Sequence, residues 1–396
     1  MKQGWQIRNL GDLYPIRTGK TPSRGDMTLW DKNKLTKNLW VSIADISANE
    51  GGVITDTNEY ISDKACDKFP IIPKGALLVS FKLSLGRMAF AGANLRTNEA
   101  ILSLVPIDSI NHRFLYYYLL YFDWDKAAEG DEKVKGKTLN QKKLAVIPIP
   151  APSISEQQRI VFLLDAEFAK IDTLKANAER NLQNAKDLFQ SALKMELEPK
   201  EGWVRKKLND LYDVRDGTHD SPKYQATGYP LVTSKNLRNG IVDMTNVKYI
   251  SQQDYDKINE RSKVDVGDVL FAMIGTIGNP SLVVEEPNYA IKNMALFKVP
   301  SNQSGSLLRY VLSSNQVLDE MHNKAKGSNQ PFVSLGYLRN FEITIPQTLE
   351  EQNSLVCKLD TLDGRCKTLQ ANYEKTIALC DDMKQALLRK AFNGEI

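Results

Sequence analysis

The sequence predicts an α+β chain built twice over: two mixed α/β domains of one kind, joined by two long antiparallel helices that form a coiled coil with pseudo-two-fold symmetry. Three observations predict it. Between Ile154 and Met195 the heptad series Leu164, Ile171, Ala178, Ala185 and Ala192 carries no charge, as a coiled-coil seam requires. Adding 195 to each number gives Leu359, Cys366, Tyr373, Cys380 and Leu387, an equally uncharged series inside a second stretch, Leu349 to Phe392. The segments that precede the two stretches share short motifs in the same order.

Taken in order, the first segment opens with Gly4-Trp5 and Leu10-Gly11-Asp12-Leu13-Tyr14, followed by a turn-rich loop from Thr18 to Arg24. Short strands are predicted at Trp40 to Ile43, after Gly51-Gly52, at Ala76 to Ser80 and at Ala100 to Val105, and an aromatic-rich helix at Phe114 to Phe122. The prolines of Ile147-Pro148-Ile149-Pro150-Ala151-Pro152 close the domain, and Ser153 or Ser155 caps the long helix. The second segment repeats this course. Gly202-Trp203, Leu208 to Tyr212, Leu231 to Ser234, Gly267 to Phe271, Asn293 to Leu296 and Ile345-Pro346 answer Gly4-Trp5, Leu10 to Tyr14, Trp40 to Ile43, Gly75 to Val79, Asn98 to Ile101 and Ile149-Pro150. The division is a first domain over 1–152, a helix over 153–198, a second domain over 199–347 and a second helix over 348–396. An interleaved series supplies a second seam: Ile160, Glu167, Leu174, Asn181, Leu188 and Met195, with Leu355, Leu362, Leu369, Thr376, Met383 and Lys390 in the repeat.

Composition excludes several classes. The chain of 396 residues, 42% hydrophobic and 25% charged, is ordinary for a globular protein of more than one domain. No apolar run approaches the ~20 residues of a membrane span, and Met1 to Trp5 begins no signal peptide, so a cytoplasmic location is expected. Four cysteines without a CxxC pair and three scattered histidines give neither a disulfide framework nor a zinc site. Residues 1–150 hold 21 Lys and Arg against 16 Asp and Glu, while 201–345 hold 17 against 16. The first domain is therefore basic enough to permit contact with nucleic acid through local patches.

Catalytic motifs are missing. Gly130 to Thr138 resembles a phosphate loop but has five residues between its glycines where four are needed. Gly275-Thr276-Ile277-Gly278 lacks the dinucleotide pattern. No Asn-Pro-Pro-aromatic or Asp-Pro-Pro-aromatic tetrapeptide, which surrounds the target nitrogen in amino-methyltransferases, occurs. The chain reads as non-catalytic, with no metal or cofactor of its own. What remains are polar loops at matched places. In the first domain these are Lys20, Thr21, Ser23 and Arg24; Lys82, Ser84 and Arg87; and Lys135, Lys137 and Thr138. In the second they are Thr218 and His219; Ser234, Lys235 and Asn236; Thr276; and Lys326, Ser328, Asn329 and Gln330. Lys and Arg neutralise phosphates, and Asn, Gln, Arg, Ser and Thr read base edges.

The chain resembles the specificity (S) subunits of type I restriction–modification systems. The resemblance rests on the Gly-Trp and Leu-x-Asp-Leu openings, on Asp216-Gly217-Thr218-His219 and Gly275 to Gly278, on the Glu156-Gln157 and Glu351-Gln352 helix entries, and on the ending Lys390 to Ile396. It implies that each domain is a target recognition domain reading half of a split double-stranded DNA target, with the coiled coil setting the gap. It implies two modification subunits docked on the helices and methylating adenine N6, and restriction subunits that translocate and cleave. S-adenosylmethionine, ATP and Mg would belong to those partners. The halves differ where Phe81 to Gly86 stands against the Gly-Thr-Ile-Gly loop, so they are expected to read different sequences. The rivals are a coiled-coil scaffold that joins proteins without reading DNA, and a self-sufficient methyltransferase or nuclease.

Overall fold

The computed structural model describes residues 5–129, 132–133, 136–327 and 331–396. The chain forms two compact units, one of residues 1–177 with 376–396 and the other of residues 178–375. The long helices run Ile154–Glu196 and Leu349–Asn393, so each unit contains one end of each helix.

In the first unit a four-stranded sheet runs in the order Val53–Ile54, Met88–Ala91, Leu77–Ser80, Ile101–Leu104, antiparallel except at its first pair. Strand alternation splits its side chains between two cores. Leu77 and Val79 face Leu10, Tyr14, Phe114 and Tyr117, while Leu78 faces Val41, Ile46 and Ile54. A smaller sheet places Leu39–Val41 between Glu59–Tyr60 and Arg96–Thr97. Gln6–Asn9 pairs with Pro148–Ala151, so the opening segment clasps the strand that leads into the long helix.

The second unit repeats the plan. Its main sheet runs Asp213–Asp216, Met294–Lys298, Val269–Ala272, Gly278–Leu282. Val269 and Phe271 face one core and Leu270 and Ala272 the other. Tyr229–Val232 lies between Lys248–Ile250 and Ala290–Ile291, antiparallel to the first and parallel to the second, as in the first unit. Trp203–Lys207 clasps Glu342–Pro346. The pairing adjusts one equivalence read from the sequence. Ile101 lies opposite Ser80 and Met294 opposite Ala272, so Met294 answers Ile101, and the preceding loop is one residue longer in the first unit.

Each long helix is locked by a buried glutamine at its fourth residue. Gln157 accepts the backbone N–H of Asn111 (2.7 Å) and donates to the carbonyls of Ser109 (3.2 Å) and Pro152 (2.9 Å). Gln352 accepts the N–H of Ser304 (2.9 Å) and donates to the carbonyl of Pro346 (3.0 Å) and to Gln303 Oε1 (3.0 Å). Asn111 and Ser304 cap the helices His112–Tyr121 and Gly305–Ser313, so the Glu-Gln motif welds each long helix to the helix it packs on. About two turns on, Asp165 accepts from Tyr117 OH (2.5 Å) and Asp360 from Tyr310 OH (2.6 Å). Arg113 reaches Asp165 from position i−4 of Tyr117, at 3.1 Å, and Arg309 reaches Asp360 from i−1 of Tyr310, at 3.9 Å.

Within the first unit the helices are antiparallel: Lys175 pairs with Asp381 (2.7 Å) and Asp172 with Lys384. Leu164, Ile171, Ala178 and Ala185 are buried along the first helix, and Leu359, Cys366 and Cys380 along the last. At Ala192, Tyr373 and Leu387 the expected line is only half-buried, and Leu193 and Leu388 are fully buried instead. A straight helix drifts against a seven-residue repeat, which moves the buried line by one position. The second seam predicted from the sequence is buried at Ile160 and Leu355, where each helix packs on its own unit, and is lost further along. Leu174, Leu188, Met195, Leu369 and Met383 are exposed, because one narrow stripe is all that the helix pair covers, and Glu167, Asn181 and Thr376 interrupt the other.

Candidate nucleic-acid interface

In both units the candidate loops sit at the end of the main sheet, around the hairpin that follows the most buried strand. Phe81 donates its N–H to the carbonyl of Ala100 (3.0 Å), and the chain then turns through Leu83, at φ 65°, and Gly86, at φ 74°. Lys82 forms an antiparallel bridge with Thr138, and Leu83 N–H donates to the carbonyl of Lys137 (2.9 Å). The second unit makes the same turn through Gly275, at φ 76°, and Gly278, at φ 120°. There Ile274 bridges Phe332, and Gly275 N–H donates to the carbonyl of Pro331 (2.9 Å). Loops more than fifty residues apart in sequence are thus brought together twice in one manner.

Leu83 occupies the left-handed position that glycine fills in the second unit. A left-handed L-residue costs roughly 1–2 kcal/mol, and Leu83 is also 57% exposed. Ser84 and Thr276, the next residues, are exposed at the two hairpin tips.

The first loop joins this surface through Glu99, which the sequence alone did not single out. Glu99 accepts the hydroxyl of Thr21. That hydrogen bond, aided by the charges of Lys82 and Arg24, holds its carboxyl below the usual range despite partial burial. Lys20 is fixed by its backbone, donating to the carbonyl of Thr97 (2.9 Å) and accepting from Trp40 Nε1 (3.1 Å). The Ser23 carbonyl accepts from Trp30 Nε1 (3.1 Å). Arg24 lies 4.1 Å over the Trp30 ring and forks onto Glu59. Beneath it Trp30 meets Trp40 edge-on at 5.1 Å, and of this pair the sequence singled out only Trp40, as a strand residue.

Several expected contacts are already engaged within the fold. Arg87 pairs with Glu50 (3.0 Å) and Lys137 with Asp125 (2.8 Å). Asn236 is corrected from a surface reader to a buried capping residue. Its Oδ1 accepts the N–H and hydroxyl of Thr233 (3.0 Å each), and its amide donates to the carbonyls of Asp243 (3.0 Å) and Asn246 (3.2 Å). In the first unit Ser42 and Asp45 form the same capping box, which explains why a short polar residue stands there. Ser234 and Lys235 keep their side chains outside this network and line a cleft of about 310 Å³ with Lys292 and Asn293. Thr218 bridges Lys292, and His219 lies between Asp216 (2.8 Å) and Asn293 (3.0 Å). Lys326 is exposed and paired through its backbone with Phe332. Lys135, Ser328, Asn329 and Gln330 lie outside the described residues.

The geometry offers two equivalent loop surfaces, rich in ammonium and hydroxyl groups and mounted on rigid hairpins. No group of three or more metal-binding side chains occurs among the described residues. Comparison with known proteins gives this surface its meaning. The family model for the type I restriction modification DNA specificity domain matches residues 2–183 and again residues 200–378. The chain belongs to that family.

It is similar over its whole length to curated specificity subunits. It is 23% identical over 434 residues to the type I restriction enzyme MjaIX specificity subunit of Methanocaldococcus jannaschii, covering 99% of this chain and 93% of that one. It is also 23% identical over 371 residues to the EcoBI specificity subunit of Escherichia coli, covering 86% and 77%. Among solved structures, a chain from work on complex assembly and conformational transition of the type I restriction–modification system superposes with a TM-score of 0.79 at 18% identity, covering 100% of this chain and 99% of that one. The HsdS subunit of Thermoanaerobacter tengcongensis superposes at 0.54 and 19%, covering 100% and 98%. The chain is thus a specificity subunit: a DNA-binding, non-catalytic component that assembles with the other subunits of a restriction–modification system, and its repeated units are DNA target recognition domains. No helix among the described residues is long and apolar enough to cross a membrane.

Proposed function

We propose that each unit of this specificity subunit reads one half of a two-part double-stranded DNA target, and that the long helices set the gap between the halves. The observation that carries this reading is the duplicated hairpin. One turn, with one backbone bridge to a distant basic loop, presents different side chains in each unit: Lys82, Leu83 and Ser84 in the first, Ile274, Gly275 and Thr276 in the second. Equal scaffolds with unequal tips suit a reader of two different sequences. Lys20, Thr21, Ser23, Lys82, Ser84, Thr138, Thr218, His219, Ser234, Lys235, Thr276 and Lys326 form the reading surface.

The helices dock two modification subunits that methylate adenine N6, with restriction subunits joining them, in the cytoplasm. Exposed apolar side chains on both helices, among them Phe162, Leu188, Met195, Leu369 and Met383, favour such docking. S-adenosylmethionine, ATP and Mg are held by those partners, and this chain binds none of them.

Mapping N6-methyladenine in DNA from cells carrying the system tests the reading. A motif of two specific blocks separated by a fixed unspecific gap is expected, and a single continuous motif overturns it. Inserting one heptad into each long helix changes the gap while leaving both blocks intact. Lys82→Ala and Lys326→Ala each flatten the dependence of binding on salt by about one unit of log–log slope.

A further inference from the structure

Lys292 is buried, yet its ammonium forms no ion pair with a carboxylate among the described residues. Its Nζ donates to the Ser221 hydroxyl (2.8 Å), a neutral partner that leaves the positive charge uncompensated. Buried charges in folded proteins are normally paired. The cleft beside Lys292 is also lined by Lys235 and Lys248, together with Thr233 and Ser234, and by no acidic residue among the described ones. Lys248 is held 4.2 Å over the ring of Tyr224. Three lysines, Thr233 and Ser234 thus line one concavity of about 310 Å³.

The first unit supplies an internal control. Lys292 donates its backbone N–H to Val232 (2.9 Å) as Asn98 does to Val41 (3.0 Å), so the two positions correspond. Strand register matches Lys248, opposite Leu231, with Glu59, opposite Trp40. The shared capping box matches Lys235 with Ala44. Three lysines in the second unit therefore stand where the first has an amide, a methyl and a carboxylate. Because the backbone is the same, the fold does not require the charge.

We propose that the Lys292 cleft is a phosphate pocket of the second unit, which takes one phosphodiester of the DNA and has no counterpart in the first unit. A phosphodiester fits a site lined by lysines, hydroxyls and amides with no carboxylate among the described residues, and it supplies the missing counter-charge. The inference rests on the DNA-reading function proposed above.

The test uses the full chain assembled with its modification partners on a duplex carrying the mapped target. Methylphosphonate, a neutral group, replaces each phosphate of the second unit's half-site in turn. At one position the wild type is expected to bind about tenfold more weakly, while Lys292→Met binds the modified and unmodified duplexes alike. Lys292→Met and the surface variant Lys235→Met should each flatten the log–log salt slope by about 0.9, and Asn98→Met in the first unit should not. Unchanged slopes in both lysine variants overturn the pocket. So does a Lys292→Met protein that is weaker on every duplex but keeps the wild-type methylphosphonate profile, since the lysine would then only brace the 218–222 loop. If the wild type shows no preference for the mapped target, the DNA-reading function itself fails.

Discussion

Phe392 stacks on Tyr121, with ring centroids 5.5 Å apart and planes 19° from parallel. Phe114 and Tyr118 meet the same ring edge-on at 5.4 and 5.2 Å. The end of the last helix thereby completes the core of the first unit, where Leu388, Ala391 and Phe392 are fully buried. In the second unit Leu193 and Leu197, near the end of the first long helix, pack into the corresponding core. These residues lie 195 positions before Leu388 and Phe392. Each unit therefore borrows the end of a helix that starts in the other.

Phe392→Ala should cost about 3–5 kcal/mol, as emptying a packed aromatic site does. Denaturant unfolding measures it, and hydrogen exchange should place the loss in residues 112–122. Phe162→Ala, on a side chain 73% exposed, should stay within about 0.5 kcal/mol in the isolated chain.

Gln157→Ala removes the acceptor for the Asn111 N–H and the donor for two carbonyls in a buried setting. A loss of about 1–3 kcal/mol is expected. Faster exchange should appear at 109–121 for Gln157→Ala and at 303–313 for Gln352→Ala, because each glutamine clamps a different helix. Equal exchange changes in both segments for either variant would contradict two separate clamps.

Leu83→Gly should leave stability unchanged or raise it by up to about 1 kcal/mol, since glycine takes a positive φ without steric cost. Gly275→Leu should lower stability by about 1–2 kcal/mol for the converse reason. Melting temperatures of the two variants decide the matter.

Burial holds the His112 imidazole below its ordinary value, partly offset by nearby carbonyls of Gly75 and Val105. As pH falls through about 6.5, the unfolded chain takes up a proton that the folded chain resists. The stability contributed by the neutral ring is thus complete above that pH and lost below it. Unfolding free energy measured from pH 7.5 to 5.5 should decline less steeply in His112→Leu than in the wild type. Glu99, whose carboxyl is held low, loses its contribution only at more acidic pH, as pH falls below about 4.3 towards the depressed folded value.

Much of this molecule was legible locally. Pro148, a cap at Ser153 or Ser155 and the uncharged heptad line marked where the first long helix starts and which way it faces, because capping and helical period act within a few residues, and the bond from Glu156 N–H to the Ser153 hydroxyl chose between the two serines. The Glu-Gln entries were visible as repeated motifs, but their purpose was not. The contact from Gln157 to Asn111 spans 46 residues, and no periodicity encodes it. Asn236 was misread for the same reason. A short polar residue in a turn reads alike whether it faces water or caps a buried turn, and only its bonds to Thr233, Asp243 and Asn246 decide.

By itself the sequence determined the duplication, the two long helices, the αβ course of each unit and the absence of catalytic motifs, since each is written in local pattern or in self-similarity. The tertiary structure decided what depends on partners distant in the chain. It chose one heptad line to bury and left Leu174, Leu188 and Met195 exposed, because burial is settled by whatever packs against a helix. It joined the 82–86 turn to 137–139 and the 274–278 turn to 331–333 through backbone bridges. It also buried Lys292 without a counter-ion among the described residues, where the first unit places Asn98. Charge counts alone had made the second domain the less basic one, whereas folding gathers three of its lysines around one cleft.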